Sequence, residues 1–123
     1  MERESPPPAI EVNVDSPRAA VVTLRREHDL GTHPQIVEAL ERARGWPNVV
    51  VDLSECTFID SSVIRALSVA HRDITARGDR LAVVLPVTGS SIVNRAFDLM
   101  RLRDVLRVHE SLREALVALE PPR

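Results

Sequence analysis

The chain has 123 residues, a hydrophobic fraction of 44% and a formal net charge of -2. That suits one domain around one core, and it excludes a global basic field that would hold nucleic acid or an anionic membrane. All sixteen basic residues are arginine, the one cysteine is Cys56, and the aromatic residues are Trp46, Phe58 and Phe97, which excludes an internal disulfide, a cysteine metal cluster and an aromatic platform for stacking bases.

The start, "MERESPPPAI", is charged and proline-rich, so residues 1–8 are expected to be a disordered tail. It has no apolar leader region, and no run in the chain reaches the roughly 20 apolar residues of a membrane span. A cytoplasmic location without membrane insertion is the expectation. "AIEVNVD" places Ile10, Val12 and Val14 on one face, and "AAVVTLRRE" follows the turn "DSPR". The pair reads as a β-hairpin. "THPQIVEALERARG" reads as a helix: Thr32 and Gln35 have capping-box spacing, Pro34 fits the first turn, and Ile36, Leu40 and Ala43 share a face.

"NVVVDL" is a continuous apolar run, as in a central strand covered on both faces. A second helix is expected over 61–77, ended by Gly78, and "LAVVL" is a further central strand. "GSSIVNRAFDLM" reads as a third helix with Ile92, Ala96 and Leu99 inward. "DVLRVH" is a short strand, and "SLREALVAL" is a final helix capped by Ser111. The order ββαβαβαβα implies an α/β fold: an open mixed β-sheet with an N-terminal antiparallel hairpin, parallel strands beyond it, and about four helices. One domain is expected over 9–120, with 121–123 a C-terminal tail.

The chemistry concentrates where "NVVVDLSECTFI" gives way to "DSSVIRAL". Functional groups gather at the C-terminal ends of strands in open α/β sheets. Asp60, Ser61 and Ser62 have two compatible readings. One is a helix cap worth about 1 kcal/mol. The other is a phosphorylation site, where free amides and the helix dipole would favour an added phosphate.

Elsewhere the plain readings are preferred. Cys56 has no base that sequence can place beside it and reads as a small buried hydrophobe. His28, His33, His71 and His109 lack metal-ligand spacing, and His28 and His33 read as surface loop. "PVTGSS" lacks the lysine of a phosphate loop, so Ser90 or Ser91 reads as a cap. Arg101, Arg103 and Arg107 read as a solvated face. No enzyme constellation, metal site or cofactor site emerges.

"VVVDLSECTFIDSSVIRAL" resembles the STAS domains of the bacterial anti-sigma factor antagonists, whose mark is a strand followed by Asp-Ser-Ser/Thr-Gly and a helix. "REHDL", with Asp29, resembles the family's loop before its first helix, and "VNRAFDLMRLRDVLRV" its third helix and last strand. The resemblance spans about 10–119. It implies a non-enzymatic partner switch in bacterial stress-response or sporulation-type signalling. The unphosphorylated protein binds an anti-sigma factor that is also a serine kinase, and thereby regulates sigma-factor-dependent transcription. That kinase phosphorylates the first serine and ends the interaction; a PP2C-type phosphatase restores it.

Carried over, the phosphoacceptor is Ser61, with Asp29, Asp60 and Ser62 at the docking surface. Where the family has Gly, this chain has Val63, expected to add a branched side chain to that surface, and Arg65 follows on the same turn. A monomer or weak dimer is expected, without nucleic acid. The alternative role within the family is a non-phosphorylated interaction subunit of a lipid-transport ABC ATPase or of a larger signalling assembly.

Overall fold

The computed structural model describes residues 5–89 and 91–121. Five strands form the main sheet in the order β1-β2-β4-β6-β7. Its members are β1 (Ile10–Ser16), β2 (Ala19–Leu24), β4 (Asn48–Asp52), β6 (Arg80–Val84) and β7 (Arg107–His109). The β1–β2 pair is the expected antiparallel hairpin, and every later pairing in this sheet is parallel.

The side-chain period of two divides each central strand between two layers. Ala20, Val22, Leu24, Val49, Val51, Leu81 and Val83 face a large core under α1 (His33–Ala43), α2 (Ser61–Ala76) and α3 (Ile92–Leu99). Val21, Val50, Ala82 and Val84 face a smaller one, closed by Ala115 and Leu119 from the region of α4 (Leu112–Ala118). This explains the unbroken apolar run in "NVVV".

Two short strands escaped the sequence reading. β3 (Arg26–His28) and β5 (Cys56–Ile59) pair in parallel as a separate ribbon. Arg26, at φ 68, turns the chain from β2 into β3, and its N–H donates to the Glu55 carbonyl at 3.0 Å. Arg25 fastens the ribbon to the hairpin by ion pairs to Glu11 at 2.8 Å and Glu55 at 2.9 Å. Neither strand shows a period of two against the main core, so sequence runs Arg26 and Glu27 on from the hairpin and "CTFI" on from the central strand, whereas β2 ends at Leu24 and β4 at Asp52.

Gly78 does stop α2. At φ 85 it lets its own N–H reach the Thr75 carbonyl and the Asp79 N–H reach the Ile74 carbonyl, the paired bonds of a left-handed helix stop. Ser111 caps α4 through the Glu114 N–H at 3.1 Å.

Three expectations are corrected. The Thr32 hydroxyl makes no cap bond, because it is engaged with His28 Nδ1 at 3.0 Å and with the backbone of Asp29. His28 is not surface loop: it is wholly buried, with Nε2 facing the carbonyls of Ala9 and Arg25 at 3.1 and 2.9 Å. Two carbonyl acceptors place a proton on Nε2, and the ring thereby ties the end of β3 to the start of β1.

The third concerns α3, which turns Val93, Asn94 and Phe97 inward and leaves Ile92 at 55% and Leu99 at 86% exposure. "IVNRAFDL" carries two apolar stripes, and the one holding Phe97 buries more area. Asn94 locks that register, donating from Nδ2 to the carbonyls of Pro86 and Thr88 at 2.8 and 2.9 Å. Ser91 is the cap, and Ser90 lies outside the described residues.

Candidate functional site: the start of the second helix

Strand β5 delivers the chain to Asp60, which is extended and forms the N-cap of α2. Its Oδ1 accepts from the N–H of Ser62 at 2.9 Å, the N–H of Val63 at 3.3 Å and the Ser62 hydroxyl. Its Oδ2 accepts from the Leu30 N–H at 3.0 Å. These bonds, the Ser62 hydroxyl first among them, hold the Asp60 carboxyl below its ordinary pKa. The carboxylate therefore both caps α2 and fastens the loop between β3 and α1 to it.

The two serines are not equivalent. Ser62 is half-buried and its hydroxyl is spent on Asp60. Ser61, the first helical residue, is exposed, and among the described residues its hydroxyl has no hydrogen-bond partner. The expected free amides are not all free, because Asp60 occupies those of Ser62 and Val63.

Leu30, His33, Asp60, Ser61, Ser62 and Arg65 line one open hollow of about 350 Å³. Four of the residues expected at the site thus meet here. Asp29 does not line the hollow: its Oδ1 accepts from the Gly31 N–H at 2.8 Å and its carbonyl accepts from the Thr32 N–H at 3.1 Å, so it shapes the loop that presents Leu30.

Val63 is a correction. It is 0% exposed and packs in the large core among the buried residues of α2, because the third helical position points inward while Ser61 and Arg65 point out. It adds nothing to a docking surface.

Leu30 and His33 were missed as site residues. Leu30 is 70% exposed. A lone leucine in the polar stretch "EHDLGTH" was the one available signal, since their approach to Asp60 is made by tertiary contact rather than by spacing.

The remaining candidates resolve into structural parts. Cys56 is buried, its thiol donates to the Phe58 carbonyl at 3.4 Å, and burial pushes its pKa up to about 11. A thiol so raised supplies little thiolate nucleophile at neutral pH. Of the basic run, Arg103 donates to Asp98 Oδ1 at 2.8 Å and Asn94 Oδ1 at 3.0 Å, bracing the stretch after α3, while Arg101 lies 3.4 Å from Asp104. Among the described residues no helix is long and apolar enough to cross a membrane.

No curated protein matches the chain in sequence, whereas several solved structures share its fold. An anti-sigma factor antagonist from Mycobacterium paratuberculosis is 23% identical, with a TM-score of 0.73 over 89% of this chain and 92% of that one. The Bacillus cell fate determinant SpoIIAA in its phosphorylated form is 18% identical, with a TM-score of 0.70 over 91% of this chain and 100% of that one. A sulfate transporter family protein from Wolinella succinogenes is 14% identical, with a TM-score of 0.64 over 82% of this chain and 84% of that one. At these identities the likeness is one of fold. The family pattern described as the STAS domain matches residues 10–115, from the first strand into the last helix, and the chain belongs to the STAS domain family.

Proposed function

We propose that this domain is an anti-sigma factor antagonist that works by binding and not by catalysis. In this reading its unphosphorylated form docks an anti-sigma factor serine kinase in the cytoplasm, through the surface around Ser61, and phosphorylation of Ser61 ends the docking. The observation that carries it is the contrast between the two hydroxyls: Ser61 is exposed and unpartnered among the described residues, whereas Ser62 is bound to Asp60. The fold shared with SpoIIAA, solved in unphosphorylated and phosphorylated forms, supports the same reading.

In the transfer, Ser61 Oγ bonds to the γ-phosphorus of ATP, the β–γ bridge breaks and ADP leaves. The hydroxyl proton goes to a base on the kinase. Asp60 is a poor candidate for that base, because it already accepts from the backbone of Ser62, Val63 and Leu30 and from the Ser62 hydroxyl, bonds that lower its pKa and so its basicity. A PP2C-type phosphatase would reverse the step. The working unit in this account is 9–120, acting as a monomer or weak dimer.

Binding of Ser61→Ala and Ser61→Asp to the serine-kinase anti-sigma factors of the same organism tests the switch. The alanine variant should bind as the unmodified protein does. The aspartate variant should bind at least about tenfold more weakly, the effect of roughly 1.4 kcal/mol. Equal affinities for the two would sink the switch.

The second reading is a non-phosphorylated interaction subunit of a lipid-transport ABC ATPase or of a larger signalling assembly, and the occurrence of the same fold in a sulfate transporter family protein is consistent with a role in transport. Co-purification with such an ATPase, with Ser61 unmodified, would favour it over the first.

A further inference from the structure

We propose that phosphorylated Ser61 is held by this chain's own Arg65, so that the modification withdraws a guanidinium from the docking surface as well as adding a phosphate to it. The proposal rests on Ser61 as the modified residue and names what the phosphate meets.

Arg65 follows Ser61 by four residues, which puts it one turn further along the same face of α2. Side chains on a helix lean toward its N-terminus, so Arg65 leans over the first turn. Ser61, Arg65 and His33 line the same hollow. Among the described residues Arg65 makes no ion pair and no side-chain hydrogen bond, unlike Arg25, Arg77 and Arg103, whose side chains are all engaged.

The next amides of the turn are not available for that task. The amides of Ser62 and Val63 already serve Asp60, and the Asp60 carboxylate itself repels a phosphate beside it. A phosphoserine brings close to two negative charges and strong acceptor oxygens, and an arginine fork matches them with two parallel N–H donors.

Rivals for Arg65 lie in the neighbouring groove between α1 and α2, where Glu41, Asp73 and Arg44 also face it. Asp73 is shared with Arg44 at 3.7 Å and Arg72 at 3.6 Å, which weakens its claim. His33 is the other basic group at the hollow.

The test needs no kinase. Phosphoserine is installed at position 61 during translation, and its phosphorus resonance is titrated with pH in the otherwise unchanged chain and in Arg65→Gln, Arg65→Lys, His33→Gln and Arg44→Gln. The phosphate should bind its last proton at least about threefold more tightly in Arg65→Gln than in the unchanged chain, because the cation favouring the dianion is gone. Arg65→Lys should keep most of the effect, and Arg44→Gln should leave the midpoint where it was. Arg65 is exposed, and thermal melting of each variant confirms that the fold is kept.

An unchanged midpoint in Arg65→Gln would overturn the proposal, as would a shift produced by His33→Gln alone. Because the phosphate is placed directly, such a result leaves the kinase-driven switch standing. A kinase that fails to modify Ser61 leaves this measurement unaffected.

Discussion

Phe97→Ala is expected to lower the unfolding free energy by about 3–5 kcal/mol, the usual cost of emptying a buried phenylalanine site. Phe97 is 0% exposed, and with Val93 it is the apolar anchor of α3, a helix of 8 residues. So short a helix has little stability of its own; its position over β5 depends on that anchor and on Asn94. β5 in turn delivers Asp60 to the site, so the loss should reach the site as well as the global fold. Denaturant unfolding should show a lower midpoint at an unchanged slope. Leu99→Ala, at a position 86% exposed, should change the stability by about 0.5 kcal/mol or less. A Leu99 effect matching that of Phe97 would mean that the other stripe of α3 faces the core.

Val63→Gly carries the second large effect. Sequence places Val63 where the family has Gly, beside the proposed acceptor, and reads it as a change to the docking surface. Its side chain is instead wholly inside. Restoring Gly removes a buried valine, worth about 1.5–3 kcal/mol, and adds the backbone cost of Gly in a helix, roughly 0.5–1 kcal/mol. The thermal midpoint should fall accordingly, while Leu30, Ser61 and Arg65 keep their exposure. A variant as stable as the parent would show that position 63 is not packed as described. In this chain Val63 is therefore a core residue, whereas Arg65, one turn on from Ser61, is exposed.

The main architecture was legible because it is written in periods. Alternation in "AIEVNVD", the unbroken runs "NVVV" and "LAVV", and the caps at Asp60 and Ser111 each reflect one local rule, and all point to the same sheet. What escaped has no local period. Among the described residues β3 and β5 pair with each other and with no other strand, so their residues answer to contacts distant in sequence. His28 looked like a surface residue because its neighbours Glu27 and Asp29 are polar, yet its ring is enclosed by carbonyls from Ala9 and Arg25.

At the site, the strand-to-helix junction brought out Asp60, Ser61 and Ser62, and the family resemblance singled out Ser61 and led to Arg65 on the same helix. Both missed Leu30 and His33, which arrive through a loop fastened by the Leu30 N–H on Asp60. In α3 spacing gave two admissible faces, and only the size of Phe97 and the bonds of Asn94 chose between them.

Intact mass with site mapping decides whether Ser61 is the modified residue of a partner switch. The purified protein is incubated with ATP and, one at a time, the serine-kinase anti-sigma factors of its own organism, with Ser61→Ala as the control. The expected result is a single added phosphate, mapped to Ser61 and absent from the control. No added phosphate with any of the kinases, or one mapped to Ser62, would contradict it.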